Sequence, residues 1–504
     1  MSQTKEVTIL YTNDFHSQEQ PVKATWVEGS PMMGGAAYMA SYIKKIRASE
    51  PNVVLLDAGD IITGSPLSML TEGRAPVDLF NRIGYDAVAI GNHEFDHGWR
   101  NAKKLIYEAN FPFLAANIFY KGTNILFAKP YEIIEAGDVS IGVIGIHGKK
   151  AGYETISLEQ IRELEFRNQE SVLQEYVNLL RPHVDLIVVL AHQGIPAEQA
   201  TEDREVVVER DFEEDVYIAN QVKGIDVLIA GHCHKSIVRP YVAQQTGTLV
   251  VSTRALGTIV GYLNLKLDGR SGKIVQFTGH LEPILSERIM PDPEIAERVA
   301  YWEEQSKVLV NQVIGHASDH LTRNYFGEAP LGNIITDAVR LLAQVDCSFY
   351  QGGGVRADIE KGDITIGDVM NVNPFQSPTY VMEFTGIDLL GILEQSAALV
   401  AGVLQQSGIR MVIDMEREIG QRVIEATIKG NPIQPDKIYT VGASSFLVTG
   451  GDGFTAFTKA KRAYNTSVVE RDFLIEHIKK LRHIEPVLDG RTRIIGMPEG
   501  IGNV

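Results

Sequence analysis

An α/β fold is the class this sequence predicts. Over residues 1 to about 290, apolar runs of strand length alternate with helical stretches, as in layered α/β proteins. Five of the runs, VTILYT, VVLLDA, AVAI, LIVVL and VLIA, have the length and β-branched content of buried strands. Each is followed within two residues by side chains of metal-ligand type. At 504 residues the chain is long enough for two or three domains, each with its own core.

Composition narrows the function. Hydrophobic residues make up 44% and charged residues 22%, the balance of a globular protein rather than a fibrous or disordered one. The net charge of −17, from 47 basic and 64 acidic residues, argues against a surface that tracks nucleic-acid polymers. Small anionic substrates remain compatible, because bound cations invert the local field. No apolar stretch reaches membrane-spanning length, and MSQTKEVTILYT has no long apolar leader segment, so no membrane association is expected. Only Cys233 and Cys347 occur, and such sparse cysteine use fits a reducing, cytoplasmic setting without a structural disulfide.

Taken along the chain, helical spacing predicts helices over 35–47, 76–83, 101–109 and 169–180. PDPEIAERVAYWEEQSKVLV, residues 291–310, opens with Pro and Asp and spaces Ile295, Val299, Trp302 and Val308 as a connecting helix would. Beyond it a second unit begins near residue 320, in which LGNIITDAVRLLA reads as a helix and YTVGASSFL as a strand. Residues 198–215 carry nine carboxylates against Arg204 and Arg210, and read as a solvated helix or loop rather than a lid.

The five strand ends carry the chemistry: Asn13-Asp14-Phe15-His16, Gly59-Asp60, Gly91-Asn92-His93-Glu94-Phe95-Asp96, Ala191-His192 and Gly231-His232-Cys233-His234. Singly they say little. Asp14 or Asn92 alone reads as a turn residue, and His192 alone as an interior histidine. Jointly they bring Asp, Asn and His to the carboxyl edge of a sheet, where open α/β folds bind ligands. That set is too rich for one ordinary ion and predicts a dinuclear site. Carboxylate, amide and imidazole donors suit two divalent ions such as Mn²⁺, Zn²⁺ or Co²⁺, with Cys233 outside the set. Two such ions about 3.5–4 Å apart can clamp a phosphoryl group and lower the pKa of a bound water. A shared carboxylate must hold them together, and Asp60 is the candidate. His93 could face the leaving oxygen, with Asp96 fixing its tautomer.

The set NDFH, GD, GNHEFD, AHQG and GHCH resembles the calcineurin-like metallophosphoesterases. LGNIITDA, GGGVRADI, VNPFQSP and FLVTGGDGF resemble the C-terminal domain of bacterial and animal 5′-nucleotidases, so the likeness covers nearly the whole chain. It implies a four-layer α/β/β/α metallophosphatase domain over 1–290, a linker helix over 291–318 and a second α/β, substrate-binding domain over 319–504. It further implies that Asp14, His16, Asp60 and His234 hold one metal, and Asp60, Asn92, His192 and His232 the other. His93 with Asp96 would form the catalytic pair. Arg356 would bind the nucleotide, Phe375 and Phe446 would stack on its base, and Asp452 would contact the ribose. Read without the likeness, Gly352-Gly353-Gly354 is a glycine-rich turn before a surface arginine, and both phenylalanines are core residues. The sequence departs from the family at Gln351, where relatives carry Asn or Ser, and at Ser377, where Asn occurs. Arg323 is the nearest candidate for a second substrate-binding arginine, at an offset that does not match.

The functional reading is a dinuclear metal-dependent phosphohydrolase releasing phosphate from nucleoside 5′-monophosphates or related nucleotides. A 2′,3′-cyclic-nucleotide phosphodiesterase with 3′-nucleotidase action, or a nucleotide-sugar or dinucleotide pyrophosphatase, would use the same metal core. A nucleotide-binding protein without catalysis would show a broken ligand set, and this one is intact.

Overall fold

The structure, a computed structural model, describes residues 4–24, 26–194, 206–375 and 377–497. The chain forms two compact units that divide between Gln305 and Ser306.

The principal strands of the first unit are β1 (Thr4–Thr12), β2 (Val53–Asp57), β3 (Ala87–Ala89), β4 (Phe113–Leu114), β5 (Tyr131–Ala136) and β6 (Val139–His147). They continue with β7 (Leu186–His192), β8 (Val227–Gly231), β9 (Tyr241–Val242), β10 (Leu249–Val251), β11 (Ile259–Asp268) and β12 (Ile274–Pro283). They pair into two six-stranded sheets, ordered β12-β11-β1-β2-β3-β4 and β9-β10-β8-β7-β6-β5. In the first sheet β1 to β4 run parallel, and in the second β6, β7, β8 and β10 do. Antiparallel strands close the flanks.

Alternation along each strand builds the layers. Val54 and Leu56 of β2 and Leu186, Val188 and Leu190 of β7 join one core between the sheets. Leu55 turns the other way, into a core with the helices α1 (Ala36–Ser49), α2 (Arg74–Ile83) and α3 (Trp99–Glu108). Ile187 and Val189 face α4 (Gln169–Leu180) and α5 (Glu213–Gln221) across a third core. The result is helix, sheet, sheet, helix. Strands buried on both faces read as unbroken apolar runs, which is how they stood out in the sequence.

Helix α6 (Pro293–Val310) follows, and the division between the units falls inside it rather than at either end. Asp292 starts it, accepting the Ile295 N–H at 3.1 Å, with Pro293 in the first turn. Asp78 fastens this part of α6 to α2 by bonding Arg298 and the Trp302 indole.

In the second unit, β13 (Cys347–Tyr350), β14 (Pro378–Thr385), β15 (Gln405–Ser407), β16 (Ile438–Ser444) and β17 (Arg462–Val469) form a sheet ordered β15-β13-β16-β14-β17. Phe349, Met382, Phe384 and Val441 pack with Leu389, Ile392 and Leu393 of α8 (Gly386–Ala397). Helices α7 (Pro330–Leu342) and α9 (Glu470–Leu481) complete this α/β unit. The stretch YTVGASSFL is strand only as far as Ser444. Ser444 Oγ then accepts the Leu447 N–H and starts the short helix Ser445–Val448, so Phe446 is helical and not at a strand end.

Much of the acidic stretch at 198–215 lies outside the described residues. Its described end is not wholly solvated: Asp215 is fully buried, with Oδ1 accepting from Gln193 Nε2 at 2.9 Å.

Candidate active site

The five ligand segments lie at or just past the carboxyl ends of β1, β2, β3, β7 and β8, three strands from one sheet and two from the other. All seven residues expected to ligate metal come together. Asp14, His16 and His234 form one group, and Asp60, His192 and His232 a second, with donor atoms within 4.8 Å inside each. Asn92 joins the second, its Oδ1 lying 3.0 Å from His192 Nε2. His16 and Asp60 also group with His93, so Asp60 belongs to both halves of the cluster. Asp14, His16, Asp60, His232 and His234 all have φ between 48° and 74°, a region that non-glycine residues seldom occupy.

The hydrogen bonds set the tautomers. His16 Nδ1 faces the Thr63 carbonyl at 3.0 Å and His192 Nδ1 the Ala58 carbonyl at 2.8 Å. Donating there leaves each Nε2 of the neutral rings to offer its lone pair. His16 Nε2 then points at His234 Nε2, 3.0 Å away. His192 Nε2 points at Asn92 Oδ1 and, at 3.2 Å, at Asp60 Oδ2. Asp60 Oδ2 and His232 Nε2 are buried without a hydrogen-bond partner. Converging acceptors of this kind fit cations, and carbonyls orienting the far ring nitrogens are the usual support for a ligating histidine.

Charge follows the same pattern. Burial raises the Asp14 carboxyl to about 6. Burial also opposes charge on Asp60, but His192, His93 and His16 outweigh it and hold that carboxyl well below the usual range. Burial opposes charge on His192 as well, yet Asp60 and Asp14 raise it to about 10, so a cation binds at Nε2 only by displacing the proton that this ring otherwise carries. Burial, reinforced by His192, keeps His232 well below an ordinary histidine.

His93 and Asp96 stand beside this cluster. His93 Nδ1 lies 2.8 Å from Asp96 Oδ2, its backbone N–H donates to Asp60 Oδ1 at 2.8 Å, and its Nε2 is 4.0 Å from Asp60 Oδ2. Cys233 is buried, donates weakly to the Gln193 carbonyl at 3.7 Å and belongs to none of the donor groups among the described residues.

Sequence reasoning missed the supports. Glu94 accepts the N–H groups of Gly91 at 2.7 Å, Asp60 at 3.1 Å and Ile61 at 2.9 Å, tying the loop after β2 to the loop after β3. Asn13 clasps Thr253, accepting from its N–H and hydroxyl and donating to its carbonyl, while the Leu256 N–H donates to the Asp14 carbonyl. An acid inside GNHEFD was the available signal for Glu94. Thr253 carried none.

In the second unit, register gathers the four residues expected to meet substrate. Thr379 pairs with Ser444 in antiparallel strands, so Phe375 just before β14 and Phe446 just after β16 lie at one end of the sheet. Strand β13 runs parallel to β16, which brings the Gly352–Gly354 turn and Arg356 to that same end. The Arg356 N–H donates to the Val372 carbonyl at 2.9 Å, three residues before Phe375. A Cβ on Gly451 would lie 2.5 Å from the Phe446 ring, so glycine lets the turn that carries Asp452 fold onto that ring. Arg356, Phe375, Phe446 and Asp452 are all partly exposed. Gln351 is buried, and its Oε1 has no hydrogen-bond partner.

A four-layer sandwich with this carboxylate–imidazole cluster defines a metallophosphoesterase. Residues 7–236 match the calcineurin-like phosphoesterase family, and residues 313–459 match the 5′-nucleotidase C-terminal domain. The 5′-nucleotidase of Bos taurus is 30% identical over 97% of this chain and 91% of its own length. A snake venom 5′-nucleotidase from Naja atra is 31% identical over 96% and 98%. The solved structure of a 5′-nucleotidase precursor from Thermus thermophilus superposes with a TM-score of 0.81 at 27% identity, covering 98% of this chain and 100% of that one. The chain belongs to the 5′-nucleotidase family and is a metal-dependent phosphoric ester hydrolase acting on nucleotides. No helix among the described residues is long and apolar enough to cross a membrane.

Proposed function

We propose that the protein removes phosphate from nucleoside 5′-monophosphates with two divalent ions of the Mn²⁺, Zn²⁺ or Co²⁺ kind. Asp14, His16, Asp60 and His234 would hold one ion, and Asp60, Asn92, His192 and His232 the other. The observation that carries this reading is the position of Asp60 between the two donor groups, its Oδ2 lying 3.9 Å from His16 Nε2 of one and 3.2 Å from His192 Nε2 of the other. When bound, such ions polarise the phosphoryl oxygens and supply a nucleophilic oxygen at neutral pH.

The remaining work falls to side chains. Asp96 holds the His93 Nδ1 proton and stabilises the imidazolium, whose Nε2–H can then protonate the departing ribose oxygen. Arg356 offers two parallel N–H groups to an anionic oxygen pair. Phe375 and Phe446 press on the base, and Asp452 accepts from ribose hydroxyls, so binding energy remote from phosphorus orients the reacting group. Two buried thiols outside any disulfide, Cys233 and Cys347, support a cytoplasmic setting.

Phosphate release from a panel of 5′-mononucleotides, 2′,3′-cyclic nucleotides and nucleotide sugars, repeated with several divalent ions, tests the assignment. Preference for 5′-mononucleotides and two ions per chain by elemental analysis are expected. Faster turnover of cyclic nucleotides or sugar conjugates would move the same centre to those reactions, and fewer than two ions would remove the dinuclear account. His93→Ala should keep both ions and lose about 10²–10⁴-fold in kcat. Retained turnover would take His93 out of the chemistry.

A further inference from the structure

Residues 321–327 form a strap across the glycine triplet of the second unit. At one end Leu321 and Ile359 exchange backbone hydrogen bonds of 2.9 and 3.0 Å. At the other, the Tyr325 carbonyl accepts the Val403 N–H at 2.9 Å, and a Cβ on Gly353 would stand 3.4 Å from the Tyr325 ring. A Cβ on Gly402 would lie 2.5 Å from the Tyr325 carbonyl oxygen, so glycine at that position is what lets the strap lie this close.

Arg323 sits between those anchors. Its Nη1 donates to the Arg356 carbonyl, its backbone N–H donates to Asp358 Oδ1 at 2.8 Å, and its Nε lies 3.7 Å from the same oxygen. Asp358 therefore supplies a counter-charge, and a main-chain oxygen takes up part of the guanidinium. The Arg356 N–H is also engaged, by the Val372 carbonyl in the segment that leads to Phe375. Both peptide groups of Arg356 are thus held, one by Arg323 and one by the neighbour of the stacking loop.

We propose that Arg323 is a positioning residue rather than a second substrate-binding arginine. It fixes the peptide after Arg356, and so the direction in which the Arg356 guanidinium leaves the main chain, without touching the nucleotide. The inference rests on Arg356 as a nucleotide ligand, and it explains why Arg323 need not match the offset of a phosphate-binding arginine. A guanidinium already paired with a carboxylate and a carbonyl is a structural clamp. A carbonyl released from it would let the 356–357 peptide rotate and spread the Arg356 side chain over more rotamers.

The test is the kinetics of the full chain with Mn²⁺ and adenosine 5′-monophosphate, for Arg356→Ala, Arg323→Ala, Arg323→Lys and the Arg323→Ala/Arg356→Ala double variant. Arg356→Ala should raise KM at least about tenfold, and Arg323→Ala about three- to tenfold, with kcat near wild type. Arg323→Lys should recover most of the loss, because an ammonium still donates to a carbonyl. The double variant should be no worse than Arg356→Ala alone, since Arg323 then has nothing to position. Two losses that multiply would mean that Arg323 acts on the substrate independently, and would overturn the proposal. So would an unchanged KM in Arg323→Ala or, if that variant does not fold, an unchanged KM in Arg323→Met, which keeps the stem but has no group to donate to the Arg356 carbonyl. An unchanged KM in Arg356→Ala would instead sink the ligand role of Arg356, and the positioning role with it.

Discussion

Glu94 shows how much of the centre is held by groups that touch no substrate. It is 2% exposed, and burial, aided by Asp60, raises its carboxyl to about 7. Its oxygens are nevertheless saturated by main-chain N–H groups from two loops. Glu94→Ala would leave those buried donors unpaired, so a loss of about 2–4 kcal/mol in unfolding free energy is expected, measured by denaturant titration. Glu94→Gln keeps an acceptor and should recover part of it. This role was invisible in the sequence because its partners are backbone groups, those of Asp60 and Ile61 more than thirty residues away, and any residue type supplies those. The convergence of Asp14, His16, Asp60, Asn92, His192, His232 and His234 was legible for the opposite reason: their side-chain chemistry is specific, and each stands at or just beyond a strand end. The left-handed φ values of five ligand positions were not legible, since Asp and His carry no mark of such strain.

At the scale of elements, apolar runs located the strands, but not the sheet each would join. A strand buried on both faces has no polar side to say which neighbour it faces. The five ligand strands therefore split three and two between stacked sheets, where the sequence indicated only five strand ends. Phe446 went astray similarly, because a serine cap two residues ahead turned a strand into a helical turn. Helix α6 was legible from its Asp-Pro start, and its cap offers a pH test. Burial disfavours charge on Asp292, but the Lys44 ammonium at 2.7 Å and the Ile295 N–H lower its carboxyl below the ordinary value. A depressed carboxyl stabilises above its unfolded value of about 3.9, and that stability is lost as pH falls through the folded value. Asp292→Ala should cost about 1 kcal/mol at pH 7. The difference from wild type should shrink as unfolding is measured at progressively lower pH, below about 4. A constant difference would show that packing, not charge, sets the cost.

Across the whole molecule, the side chains proposed to carry out hydrolysis and those proposed to bind the nucleoside sit in different units, so their variants should separate kinetically. Phe375→Ala and Phe446→Ala should each weaken nucleotide binding by ~1–3 kcal/mol, roughly 5- to 150-fold in KM. Neither should slow turnover of p-nitrophenyl phosphate, which has no base to stack. Slowing of both substrates would mean that the rings support the fold rather than the substrate. The C-terminal motifs were legible only through family likeness, because a phenylalanine bound for a base and one bound for a core look alike in a single sequence. Strand register in the second unit is what brought them to one end.

Because the donor segments come three from one sheet and two from the other, any ion they share rivets the two halves of the sandwich. Melting of the first unit should then follow cation activity logarithmically, gaining about 1.4 kcal/mol per bound ion for each tenfold rise above the dissociation constant. A chelator should therefore lower the melting point of the first unit. Calorimetry across a buffered metal series would expose the rivet, and a melting point indifferent to metal would show that the sheets cohere without it.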